Sequence, residues 1–237
     1  NSLTAPMLSA LADALDRAAE DPRVKVVRLG GAGRGFSSGA GISEEDQARR
    51  KEGAPDAVLL GANRSIRAIV ALPKPVIAVV QGPAAGVGVS LALACDLVLA
   101  SEKAFFLLAF TKIGLMPDGG ATALVAAAIG RARAMRMALL AERISAAEAF
   151  DFGLISAVYP ADELDAGVAK VITTLASGPA VALRKTKQAI NAATLTELED
   201  AIAREEDGQR ILTTSRDFAE TAGPENTQDA YYAAGTY

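Results

Sequence analysis

The sequence predicts an α/β domain with a parallel sheet and helices outside it. A strand running into a glycine-rich loop and then a helix occurs twice, over residues 24–71 and 75–95, the order that builds crossover connections between parallel strands. After residue 130 the pattern turns largely helical. The length of 237 residues, 51% apolar and 22% charged, suits one large domain with a substantial core.

Each element has a local signature. Leu3–Ala19 reads as an amphipathic helix, because Leu3, Met7, Leu11 and Leu15 fall on one stripe and Asp21-Pro22 ends it. VKVVRLG (24–30) is a strand, followed by the loop GAGRGFSSGAG (31–41). SEEDQARRKEGAPD (43–56) is polar and expected to be a mobile surface segment. Residues 57–71 form a helix closed by Pro73-Lys74-Pro75. PVIAVVQ (75–81) is a second strand, PAAGVG (83–88) a second glycine-rich loop and VSLALAC (89–95) a buried helix. DLVLAS (96–101) and AFFL (104–107) are short strands. RARAMRMALLAE (131–142) and SAAEAFDFG (145–153) are helical, and LISAVYP (154–160) is a strand. A last helix over about 195–219 is so rich in charge that one face must meet solvent or another subunit.

Composition excludes several classes of function. The net charge of −4 and pI near 5.1 argue against a nucleic-acid partner. Cys95 is the only cysteine, so no intrachain disulfide forms, and a cytoplasmic setting is expected. Zero histidines remove the Ser-His-Asp triad, the Cys-His pair and any imidazole metal ligand, and one cysteine removes a Cys₄ zinc site, so no metal is expected. NSLTAPML does not read as a signal peptide. The uncharged run 75–95 is long enough for a bilayer, but Gln81, Pro83 and glycines 82, 86 and 88 interrupt it, so no membrane partner is expected.

Two motif matches fail on chemistry. GFSSG (35–39) fits G-x-S-x-G, but a serine nucleophile has no histidine base here. Neither glycine loop fits the dinucleotide or P-loop patterns. Small residues at the ends of strands 24–30 and 75–81 nevertheless let a ligand approach backbone N–H groups, and the second loop opens a helix whose N-terminus favours negative charge. The two loops are either a main-chain oxyanion hole or tight turns without a ligand. Asp118, in GLMPDGGAT (114–122), is either the cap of the following helix, with Thr122 sharing the task, or a proton-transfer base. The nearby Phe105, Phe106, Leu107, Leu108 and Phe110 would desolvate that carboxylate and strengthen it as a base.

In order, GFSSGAG, PVIAVVQGPAAGVGVSLALACDLVLAS, GLMPDGGAT and GRARAMRMALLAERISAAEAFDFGLISAVYP resemble the crotonase, or enoyl-CoA hydratase/isomerase, superfamily. The resemblance implies a ββα spiral core over residues 1–175, lacking its first strands, and a C-terminal helical trimerisation region over 176–237. It implies a homotrimer or dimer of trimers. It also implies an acyl-CoA or enoyl-CoA partner, with coenzyme A part of the substrate and no separate cofactor. Carried onto this chain, the oxyanion-hole donors are the N–H groups of Ala40 and Val87. Ser37, Ser38 and Ala40 fall in the loop that meets coenzyme A, and Gly86 and Phe110 among the substrate-binding positions.

The two glutamates of the hydratases correspond to Ser90 and Phe110, so both are replaced here. Asp118 matches the acid/base of a branch of double-bond isomerases, including the ring-epoxide isomerase type. The resemblance therefore implies an enoyl-CoA isomerase with Asp118 as acid/base. A protein that only binds acyl-CoA, and a weak hydratase working through Asp118 alone, are the alternatives. The dehalogenase branch also has an aspartate here but uses a histidine and a tryptophan, and this chain has neither. Departures from the family pattern are Gly41 in place of an aspartate and a tail ending AETAGPENTQDAYYAAGTY, with Tyr159, Tyr231 and Tyr232 assigned no role. Asp96 is expected to hold the start of a strand, and Glu142 with Arg143 either to form a local ion pair or to line the entrance.

Overall fold

The chain lays down pairs of short strands, each pair followed by a helix. The computed structural model describes residues 1–41 and 56–221, so most of the polar segment 43–56 and the tail with Tyr231 and Tyr232 lie outside the described residues. In chain order come β1 (Ser2–Leu3), α1 (Ala5–Glu20), β2 (Val27–Gly30), β3 (Gly39–Ala40) and α2 (Ala57–Ala71). Then follow β4 (Val76–Val80), β5 (Pro83–Ala85), α3 (Val87–Ala94), β6 (Leu97–Ser101) and β7 (Phe105–Leu107). A 3₁₀ turn (Ala109–Ile113), α4 (Ala121–Leu140), β8 (Ile144–Ser145), α5 (Ala146–Asp151) and β9 (Ala157–Tyr159) complete the core. Four helices end the described chain: α6 (Leu164–Ser177), α7 (Ala180–Thr194), α8 (Leu198–Leu212) and α9 (Arg216–Thr221).

Besides the β1–β3 pair, the described strands form two sheets. β2, β4, β6 and β9 build a parallel sheet in that order. β5, β7 and β8 build the other, with β8 antiparallel to β7. β3 pairs with β1, and Ser37 bridges to Ala84, which ties the loop before β3 to β5. β4 is buried along its whole length, as a central parallel strand must be. Its alternate residues face opposite ways: Val76, Ala78 and Val80 join the main core, while Ile77 and Val79 pack with Leu99 and, from α6, Leu164 and Val168. The uncharged stretch 75–95 is thus β4, β5 and α3, nearly all buried. Among the described residues no single helix is long and apolar enough to cross a membrane.

Several boundaries differ from the sequence expectation for local reasons. α1 begins at Ala5 because Thr4 caps it through Met7 N–H. Its buried stripe is Leu8, Ala12 and Leu15, whereas Met7 is exposed and Leu3 lies in β1. The first strand shortens to Val27–Gly30, and α4 is bent at Gly130, whose φ of 74° leaves the helical region. The long final helix is broken at Ser215, where the hydroxyl accepts Phe218 N–H and starts α9. Glu142 pairs with Arg136 at 2.7 Å, and the Arg143 guanidinium lies 3.8 Å over the Phe105 ring.

No residue of α7 is buried as a whole, yet the helix is anchored. Lys187, its side chain only 7% exposed, sits 2.9 Å from Asp96 and also donates to the carbonyls of Ile69 and Lys74. Asp96 accepts Val76 N–H at 2.7 Å and donates its own N–H to Val76 O, so it fixes the starts of β4 and β6 together, as the sequence suggested. Burial pushes the Asp96 carboxyl upward, and Lys187 opposes this. Removing the cation alone strands a buried carboxylate. Lys187→Met is therefore expected to lower the unfolding free energy by about 3–5 kcal/mol in urea titrations, and adding Asp96→Asn to recover much of the loss.

Candidate active site

Three backbone segments meet at the N-terminus of α3. Val87 supplies the first amide of that helix, where N–H groups have no intrahelical acceptor and the helix dipole is positive. Gly86 N–H is tied to Leu107 O at 2.9 Å, which fixes the entry into the helix. The loop before β3 lies against the first turn: a Cβ at Gly88 would stand 2.8 Å from Ser37 Cβ. Only glycine permits that approach. Just after β3, Gly41 N–H donates to Leu3 O at 3.0 Å, so the alternation of a strand turns Ala40 N–H away from β1. Ser37 is buried and shapes the loop, its hydroxyl donating to Asn1 O and accepting Gly39 N–H. Ser38 is exposed.

The third segment carries Asp118. Gly119 has φ of 67°, and a Cβ there would lie 2.9 Å from Val87 Cγ2 and 2.8 Å from Ile66 Cδ1. The Ser90 hydroxyl donates to the Asp118 carbonyl at 2.7 Å. The loop thus rests directly on the first turn of α3, with half-buried Asp118 next to the seat of Gly119 on Val87. Ser90 is spent on the backbone, and Phe110 is 6% exposed in the main core with its carbonyl accepting Leu115 N–H. Neither position brings a carboxylate to the site.

The cap of α4 comes from elsewhere. Glu205, buried on α8, accepts Gly120 N–H at 2.6 Å, Thr122 N–H at 2.9 Å and the Thr122 hydroxyl at 2.5 Å. Thr122, expected to share in capping, instead donates to that carboxylate. Asp118 Oδ2 accepts a bond from Gln209 Nε2 at 2.8 Å, and the same nitrogen donates to Met116 O at 2.9 Å. Burial raises the Glu205 carboxyl above its ordinary 4.5, opposed by the bonds from Thr122 and Gly120.

Sequence reasoning missed Glu205 and Gln209. The signal was present: Leu198, Ala201, Ile202, Glu205 and Gln209 recur at helical spacing on the buried face of α8. Two polar side chains on an apolar stripe require polar partners.

Glu205→Ala leaves the first-turn amides of α4 without their acceptor. It is expected to lower the unfolding free energy by about 2–4 kcal/mol in denaturant titrations. A folded-state value above 4.5 means that the native chain binds this proton more readily than the unfolded chain. The contribution is therefore whole below the unfolded value and lost as pH rises through the folded one. Stability measured upward from pH 4.5 is expected to decline less in Glu205→Gln than in the parent chain.

Comparison with known proteins places this geometry in context. The sequence model of the enoyl-CoA hydratase/isomerase family matches residues 1–228. The 1,2-epoxyphenylacetyl-CoA isomerase of Escherichia coli (strain K12) is 38% identical over 223 residues, covering 93% of this chain and 85% of that protein. A probable enoyl-CoA hydratase of Rhodobacter capsulatus is 40% identical over 222 residues, covering 93% and 84%. The crystal structure of an enoyl-CoA hydratase from Mycobacterium avium subsp. paratuberculosis K-10 is 65% identical, with a TM-score of 0.88, covering 96% of this chain and 87% of that one. With its paired strands, its helical C-terminal region and a match along nearly its whole length, the chain belongs to the enoyl-CoA hydratase/isomerase family, the crotonase superfamily.

Proposed function

We propose that the protein is an enoyl-CoA isomerase, with Asp118 as its acid/base and the N–H groups of Ala40 and Val87 as oxyanion donors. The observation that carries this reading is the seating of Asp118: Gln209 holds its Oδ2 at 2.8 Å, and the adjoining Gly119 packs on Val87 at the start of α3. A carboxylate held against the oxyanion-hole helix is suited to moving a proton.

Chemistry follows from the residues. As the C2–H bond of a 3-enoyl thioester breaks, Asp118 takes the proton and the electron pair spreads from C2 onto the thioester oxygen. The two amides stabilise that charge, each such donor being worth about 2.7–4 kcal/mol in the barrier. Delivery of the proton to C4 draws the C3=C4 pair into bonding and leaves the double bond between C2 and C3. One carboxylate suffices. Hydration needs one group to activate water and another to protonate carbon, and Ser90 and Phe110 provide neither.

The isomerase relative from Escherichia coli supports this reading. Hydration is the second reading, favoured by the hydratase names of the Rhodobacter protein and the Mycobacterium structure. Coenzyme A enters as part of the substrate, near the loop with Ser37 and Ser38 and beside Gly86. Assembly as a homotrimer or dimer of trimers belongs to the same proposal. Exposed Leu139, Leu140, Val181 and Ile190 support it, and sedimentation equilibrium tests it.

The functional test is Asp118→Asn with a 3-enoyl-CoA and with crotonyl-CoA. Isomerisation is expected in the parent chain and to fall by about 10²–10⁴-fold in the variant, with substrate binding retained. Water addition to crotonyl-CoA faster than isomerisation would favour hydration, and binding without turnover of either substrate would leave only an acyl-CoA binder.

A further inference from the structure

We infer that Gln209 is a positioning residue for Asp118: its side-chain amide sets the direction of the carboxylate that moves the proton. The inference rests on the reading of Asp118 as the acid/base.

Gln209 is 5% exposed and lies one helical turn beyond Glu205 on the buried face of α8. The two side chains grip the same loop at alternate points. Glu205 holds Gly120 and Thr122, while Gln209 holds Met116 and Asp118. α8 is pressed closely onto this loop, since a Cβ at Gly208 would fall 2.1 Å from Met116 Sδ. The loop therefore cannot drift without displacing the helix.

The orientation of the amide is determined by its neighbours. Both contacts of Nε2 are to acceptors, the Met116 carbonyl at 2.9 Å and Asp118 Oδ2 at 2.8 Å. Turned over, the amide would set Oε1 against a carbonyl oxygen and a carboxylate, which is repulsive on both sides. The Met116 carbonyl can only accept, so it locks the N–H edge toward Asp118 in every protonation state. Gln209 Oε1 has no protein partner among the described residues. A buried acceptor without a partner costs stability, so methionine or leucine would be the more stabilising choice at this position. What glutamine adds is the pair of donated bonds.

A donated bond to one oxygen fixes the rotation of the carboxylate about its Cβ–Cγ bond. Proton transfer between C2 and C4 demands that one carboxylate serve two carbons in turn. Loss of alignment at such a centre costs up to about a hundredfold in rate.

The experiment compares the parent chain, Asp118→Asn, Gln209→Met and Gln209→Glu with one 3-enoyl-CoA, measuring kcat, KM and thermal midpoint. Gln209→Met is expected to keep a parental midpoint or exceed it and to hold KM within about twofold, while kcat falls about 10- to 100-fold. A merely structural role would instead lower the midpoint and leave the kcat of the folded fraction unchanged. If Gln209→Met does not fold, Gln209→Glu decides, since it keeps the shape but lacks the N–H groups: parental kcat overturns the inference, and a low kcat with retained KM supports it. An inactive Asp118→Asn beside a fully active Gln209→Met overturns the inference alone. Full turnover in Asp118→Asn, or none in the parent chain, overturns the acid/base reading and this inference with it.

Discussion

The candidate site depends on a buried carboxylate that belongs to another part of the chain. Glu205 stands 85 residues beyond Gly120 and 83 beyond Thr122, yet it satisfies both amides. A helix N-terminus that ended in apolar surroundings without such an acceptor would be strained toward solvent. With the acceptor in place, α4 begins where Gly119 and Gly120 touch α3 and α8, and the Met116–Thr122 loop is tied to α8 by four residues. The seat of Gly119 on Val87 and the bond between Ser90 and the Asp118 carbonyl both require that loop to hold still.

Most of the fold was legible because it is periodic. The alternation of strand, glycine loop and helix marked each turn of the spiral, and the apolar run PVIAVV marked a strand that proves buried along its length. Errors gathered where periodicity is ambiguous. In α1, Met7 and Leu11 compete with Leu8 and Ala12 for the stripe that ends in Leu15, and only contact with α2 decides between them. The break between α8 and α9 is set by a single serine hydroxyl, a signal too weak to outweigh fifteen helix-forming neighbours.

The site was legible in its backbone and not in its supports. Glycine-rich loops reveal where main chain must come close, and Gly88 and Gly119 are required for just that reason. Residue type alone could not decide what Asp118 does, because an aspartate before Gly-Gly is as good a cap as a base. The side chains that hold its loop come from a charged helix that reads as surface. Glu205 and Gln209 are lost in LEDAIAREEDGQRIL until the stripe through Leu198 and Ile202 is followed to its end.

The reach of α8 across the chain also has a consequence for the order of assembly. Both glycine loops, α3 and Asp118 itself are made before Glu205 and Gln209, the bond from Gln209 to Asp118 spanning 91 residues. A nascent chain can thus wind much of its spiral while the Met116–Thr122 loop still has no anchor. Contacts of such wide sequence separation close late, since a long loop must be ordered before they form. The Met116–Thr122 segment is accordingly seated after the loops that precede it, and a polypeptide released before α8 would hold both glycine loops without a seated Asp118.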